Sequence, residues 1–304
     1  MKIIKILFTF LLSVSAFCTV SAQENFVKKR VAVLNFEDKT NARHSFYGRR
    51  TIGDEVRDMI TTELVKSGKF RVIERERLEA LLKEQDLGKT GIITPESAAQ
   101  IGKILGVELA VFGAVTEMGN KSGSKDLKLD GIGLNLGKNS VVMAIDLRIV
   151  NTSTGEILAA ENIRKKKSGV SGGVRLKGMN FSDKDKFDDS IYGKVARKVV
   201  ERVVKLLTES AADMPWSAKV ITFNQNKVYI NSGKQDGIQI GKAFKVFRPG
   251  EALIDPDTGL NLGSVEQEVG TIKVIDNSVG EGKASVCQVL QGSSFEKGDV
   301  VRMK

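Results

Sequence analysis

The chain carries one histidine, two cysteines and two clusters of carboxylates as the side chains that could support covalent or metal chemistry. His44 sits in a polar stretch beside Phe46 and Tyr47 with no nucleophile motif near it, so neither a Ser-His-Asp nor a Cys-His site has a base to build on. Zinc needs a cluster of His and Cys, and the chain has none. Asp255 and Asp257 stand two apart before Gly259, and Asp183, Asp185, Asp188 and Asp189 bunch together, yet neither group continues to the glutamate and glycine of a complete calcium loop. The first reads as a turn, the second as the acidic start of a helix. Gly131, Gly133 and Gly137 lie between strands rather than ahead of a helix, which is not the context of a dinucleotide-binding turn. The sequence therefore points to a protein that is not an enzyme and that needs no cofactor or metal.

The elements are organised around residues 140–164. Met143, Ile145, Leu147 and Ile149 alternate with Val142, Ala144, Asp146 and Arg148, and a short loop ending in Gly155 leads to a return run with Ile157, Ala159 and Ile163. Period two on both sides of a turn predicts a β-hairpin. Its flanks, residues 118–139 and 165–186, are polar, glycine-rich and weakly strand-like, and they read as paired insertions. Leu127, Leu129, Ile132, Leu134 and Leu136 alternate in the first; Val170, Val174, Leu176, Met179 and Phe181 are spaced among glycines in the second. Each is long enough for a hairpin of strands near the ~10 residues that a tilted membrane strand requires. So few strands cannot close a barrel alone, so a membrane role obliges several copies to assemble; otherwise the insertions are surface hairpins, for which Lys165, Lys166, Lys167, Arg175 and Lys177 argue.

Before the hairpin, Val31 to Phe36 predicts a strand, Thr51 caps a helix that ends at Gly68, and Phe70 to Glu74 predicts a second strand. Two further helices, over residues 75–85 and 94–106, precede a strand from Glu108 to Val115. Phe187 to Leu207 predicts the longest helix, apolar through Ile191, Val195, Val199 and Val203 and basic opposite. From Trp216 onward short strands alternate with regularly spaced glycines and no helix is expected, a pattern of a small antiparallel barrel.

Hydrophobic residues make up 41% and charged residues 28%, an ordinary globular balance that sets disorder aside. Lys2 and Lys5, an apolar run and Val20-Ser21-Ala22 form a signal peptide over residues 1–22. Cys18 leaves a second processing route open, acylation as in a lipoprotein, although Phe17 stands where a small residue is usual. The net charge of +10 would suggest nucleic acid in the cytosol. With an export signal, the acidic partners are instead envelope components, and no nucleic-acid role is expected.

Several blocks in order carry a family resemblance: VAVLNFEDKT at Val31 to Thr40, FRVIERERLEALLKEQ at Phe70 to Gln85, GVELAVFGAV at Gly106 to Val115 and LRIVNTSTGEIL at Leu147 to Leu158. Together they resemble the CsgG family of curli secretion channels, and residues 216–304 resemble, more weakly, the C-terminal barrel domain of the flagellar assembly protein FlgT family. The CsgG resemblance implies a periplasmic α/β domain that forms rings, a shared outer-membrane barrel made of hairpins from each subunit, and a loop after the first strand that narrows the pore. By position the hairpins fall on residues 118–139 and 165–186, with Leu127, Leu129, Ile132, Leu134, Leu136, Val174, Leu176 and Phe181 as candidate membrane residues. The narrowing loop falls on residues 41–50, with Phe46 and Tyr47 as candidates, though a clear match to the channel's Tyr-Asn-Phe constriction is missing. Relatives such as the cell-wall synthase activator LpoB share the domain without forming a pore. The expectation is an α/β domain at residues 23–212 with two hairpin insertions, then a small β-barrel at 216–304. It would act as an exported, homo-oligomeric secretion or assembly component of the envelope, in the periplasm and in contact with the outer membrane, handling a secreted protein. The alternative is a soluble periplasmic accessory protein that binds an envelope partner.

Overall fold

The computed structural model describes residues 27–40, 45–46, 50–73, 94, 97, 100, 106–129, 132–170, 180–181, 184–257 and 261–303. The leader expected at 1–22, Cys18, His44, Tyr47 and nearly all of the helices expected at 75–85 and 94–106 lie outside them.

A five-stranded mixed sheet, in the spatial order Phe70–Val72, Lys29–Asp38, Leu109–Leu129, Ile132–Asn151 and Ile157–Val170, forms the first half of the fold. Strand β1 (Lys29–Asp38) pairs in parallel with β3 (Phe70–Val72) and β4 (Leu109–Leu129); β4, β5 (Ile132–Asn151) and β6 (Ile157–Val170) then run antiparallel. Val31, Val33 and Phe36 of β1 enter the helix-side core, while Ala32 and Leu34 are buried as well. A strand buried on both faces reads as the continuous apolar run seen in the sequence.

Helix α1 (Ile52–Ser67) covers one face. Thr51 and Asp54 cap it reciprocally, Ile52, Val56, Ile60 and Leu64 are fully buried, and Gly68 ends it at φ 66°, a left-handed cap that suits glycine. The longest helix differs from its expected span. Residues Lys184–Asp189 form a short helix α2, Ser190 breaks it, and α3 runs Ile191–Ala212. Ser190 caps the new helix at Gly193 N, 3.1 Å away, and a Cβ on Gly193 would meet the Phe187 carbonyl at 2.3 Å. The chain turns so tightly there that only glycine fits.

In the second half, β10 (Ala243–Ile254), β11 (Asn261–Ser278), β12 (Ala284–Gln291), β9 (Lys227–Ile230), β8 (Ser217–Asn224) and β13 (Val300–Met303) bond in that order, and β13 returns to β10 to close the ring. Trp216, Phe244, Ile272, Cys287 and Val301 fill it, with Trp216 and Phe244 rings 4.9 Å apart. The helix-free expectation is corrected in detail: Lys234–Asp236 forms one 3-10 turn and Val279–Gly282 a tight turn with helical bonding.

The two cores are joined. Val27 packs into the barrel core just before β1 begins, and Lys28 N donates to the Asp236 carbonyl at 2.8 Å. Arg71 of β3 grips the buried Asp236 carboxylate at 3.0 and 3.2 Å, while Ser232 and the Gly233 amide also donate to it. Lys29 donates to the Pro215 carbonyl at 3.1 Å. Burial lowers its pKa against the opposing pull of Glu108.

Candidate functional site

The loop after β1 is held from both ends. At its start, the Thr40 amide and hydroxyl both donate to Asp38 Oδ1, at 2.9 and 2.6 Å, which turns the chain out of the sheet. At its end, Arg50 packs its guanidinium against buried Glu55 at 2.9 Å and against Asp58. Arg57, itself 6% exposed, contacts Asp54 at 3.0 Å and Asp58 at 3.3 Å and donates to Asn35 Oδ1 of β1 at 3.3 Å. Burial pushes the Asp54 carboxyl up, but hydrogen bonds from Thr51 and the charges of Arg57 and Arg50 outweigh it and hold it below its ordinary value. A Cβ on Gly53 would sit 1.9 Å from the Phe36 carbonyl, so the first turn of α1 rests directly on the last part of β1. The base of the loop is thus rigid and densely charged.

Within the loop, β2 (Ser45–Phe46) pairs in parallel with β7 (Asn180–Phe181), so that Phe46 stands opposite Phe181. Two candidates drawn from distant parts of the sequence are therefore brought to one bridge.

The candidates in the first flank fall on one antiparallel ribbon. Strands β4 and β5 continue in register from Gly119 opposite Val142 to Leu129 opposite Ile132, with Leu127 opposite Leu134 and Lys125 opposite Leu136. The middle of the second flank, residues 171–179, lies outside the described residues. Its first residues, to Val170, extend β6 along β5 as a third strand, and Asn180–Phe181 near its end pair with β2. Val174 and Leu176 lie outside the described residues. On β6, Arg164 pairs with Glu117 across the sheet at 2.8 Å, and Glu161 pairs with Arg202 of α3, whose hydrogen bond lowers the Glu161 pKa.

On the sheet face opposite α1 and α3, Glu37, Ala114, Asp146 and Asn162 form one register row, and Phe112 lies opposite Arg148. Glu37, Lys39, Phe112, Gly113, Ala114, Asp146 and Arg148 line an open cleft of about 100 Å³. Its charges are mixed and it holds no nucleophile; among the described residues no group of three metal-ligating side chains converges anywhere. Cys287 is enclosed in the barrel, where burial pushes its thiol up to about 12, so it is inert. No helix among the described residues is long and apolar enough to cross a membrane, which leaves strands untouched by that criterion.

The charged base of the loop and the Phe46 to Phe181 bridge are features that the sequence expectations do not contain. The first was signalled by Arg50 ahead of a Thr51-x-x-Asp54 cap, a helix start dense in carboxylates. The second has no sequence signal, since a two-residue bridge carries no periodicity.

Among known proteins, the lipoprotein candidate NMB1126/NMB1164 of Neisseria meningitidis serogroup B is 24% identical over 208 residues, covering 67% of this chain and 86% of that protein. The curli production assembly/transport component CsgG of Salmonella typhimurium is 27% identical over 144 residues, covering 44% of this chain and 52% of the relative, so about half of the curli component is matched. The solved structure of the hypothetical protein CT253 from Chlamydia trachomatis aligns with a TM-score of 0.36 at 17% identity, over 58% of this chain and 96% of that one. The family model described as the curli production assembly/transport component CsgG matches residues 14–239, a span that runs on into the first barrel strands. The chain belongs to the CsgG family.

Proposed function

We propose that the chain is a ring-forming, non-enzymatic component for secretion or assembly at the bacterial outer membrane, exported by its leader and serving surface proteins of the curli kind. Membership of a family of envelope transport components supports an envelope-associated role. The observation that carries the finer reading is the β4–β5 ribbon. Strand β4 has 21 residues and β5 has 20, each about twice what a tilted membrane strand requires, and both leave the helix-covered sheet without a break. Copies arranged in a ring would place these ribbons side by side, with Leu127, Leu129, Ile132, Leu134 and Leu136 toward lipid, and β6 and the residues around Val174, Leu176 and Phe181 completing the wall. The loop of Phe46 and Tyr47, fixed at its base by Arg50 and tied to Phe181, would face the ring axis and narrow it. In this reading residues 23–212 form the ring domain and 216–304 a barrel domain beside it.

Lys165, Lys166 and Lys167 on the edge strand favour a second reading, because cations are costly in lipid and guard exposed edges. There the protein is a soluble periplasmic accessory whose ribbon grips a surface-organelle protein or a wall-building enzyme. Planar bilayers separate the two. The channel reading expects discrete conductance, widened by Phe46→Ala with Tyr47→Ala and lost with Leu134→Arg while circular dichroism stays unchanged. Silence of the unmodified protein, with full envelope washability, would hand the case to the accessory reading.

A further inference from the structure

The β10–β11 ribbon runs out from the barrel, and among the described residues no element is recorded packed on either face of it. From Pro249 to Ile254 every β10 residue is exposed, and Leu253, Ile254, Leu262 and Val265 are 49, 53, 65 and 72% exposed. These are four of the eleven large apolar side chains exposed among the described residues, gathered on one hairpin. An isolated two-stranded ribbon is marginal in water, and a concentrated apolar surface of this kind marks a contact. Its charge is equally one-sided. Residues 250–265 contain Glu251, Asp255 and Asp257 and no Lys or Arg, in a chain whose net charge is +10. At the ribbon's base, Glu266 and Glu268 are neutralised by Arg302 and Lys245. Nearer the tip, Glu251 and Asp257 have no ion-pair partner among the described residues.

The complementary surface lies on the other half of the molecule. Lys165 and Lys167 of β6 share a strand face with Glu161, which pairs with Arg202 of α3. Lys194 and Lys198 are exposed on α3, two turns and one turn before Arg202. Lys167, Lys194 and Lys198 have no ion-pair partner among the described residues, while Lys165 acts on Glu161 through its charge alone. Their methylene stems offer apolar cover and their ammonium heads offer charge, which is the combination the ribbon tip lacks.

We propose that the β10–β11 ribbon docks onto the β6–α3 surface of a second copy of the chain. Donor and acceptor are different surfaces, so the contact is head-to-tail and propagates from copy to copy until a ring closes. This rests on the oligomeric part of the proposed function and supplies the contact that reading leaves unnamed.

The test is sedimentation of the full chain, purified from envelopes in detergent, at low and high salt. The unmodified protein assembles, and less so at high salt, because exposed pairs are screened. Glu251→Lys with Asp257→Lys weakens assembly about tenfold, as does Lys194→Glu with Lys198→Glu, which is what two reversed exposed pairs provide. All four together restore it. Leu253→Ser with Val265→Ser weakens assembly at every salt concentration, with unchanged circular dichroism. An unmodified protein that stays monomeric overturns both the ring and this contact. An oligomer indifferent to both charge reversals, or reversals that no combination rescues, overturns this contact alone and leaves the ring standing.

Discussion

Both halves of this chain send a two-stranded ribbon out of a packed core, and the two ribbons obey opposite rules. The β4–β5 ribbon prolongs an open sheet, gains β6 as a third strand as far as Val170, and is rich in lysine and glycine. The β10–β11 ribbon leaves a closed barrel, gains no third strand beyond the barrel among the described residues, and is acidic and apolar. An open sheet can lengthen its strands because free edges remain to support them; a closed barrel has no edge and can extend only by a hairpin. The first half is thereby suited to building a shared wall, the second to reaching across to a neighbour.

The two cores meet at one joint, and damage to one core alone is the strongest test of their independence. Phe244→Ala removes a fully buried ring packed at a 35° tilt against Trp216 and is expected to cost about 3–5 kcal/mol. Trp216 fluorescence and maleimide labelling of Cys287 should then report unfolding at lower urea, while the helical signal of α1 and α3 holds. Leu147→Ala, about 2–5 kcal/mol in the sheet core, should do the reverse. A single shared transition in both variants would show one cooperative unit.

Asp236→Ala sharpens the same point at the joint. It strips Arg71, Ser232 and the Gly233 amide of their shared acceptor and should cost about 2–3 kcal/mol, pulling the two transitions apart. Thr51→Ala removes the cap of α1 at the foot of the Phe46 loop, at about 1 kcal/mol, and should move only the helical transition.

The smallest effect expected is on pH. Because the folded Asp54 carboxyl lies below its ordinary value, its contribution is fully present above the unfolded pKa and fades as pH falls through the folded value. Acid urea titrations should show this fading in the helical signal of the unmodified protein and less of it after Thr51→Ala.

The first half was legible where chemistry is local. Thr51 and Gly68 bracket α1 by capping alone, and the alternation of Met143, Ile145, Leu147 and Ile149 marks a strand that needs no partner to be recognised. What sequence could not provide was pairing over distance. Residues 165–170 look the same whether they turn back on themselves or run along β5, and Phe181 gives no sign that its bridge partner is Phe46. The break before α3 was half-visible: Ser190 three residues ahead of Gly193 is a cap pattern, outvoted by the helical spacing of apolar residues around it. The charged foot of the loop escaped because Arg50, Glu55 and Asp58 converge only once α1 has formed.

The measurement that bears most directly on the central claim is fractionation of native envelopes by alkaline wash and detergent extraction, followed by sizing of the protein. A wash-resistant, detergent-soluble oligomer is the predicted result and makes the β4–β5 ribbon part of a membrane wall. A monomer released by the wash would contradict it and turn that ribbon into a gripping arm for a soluble partner.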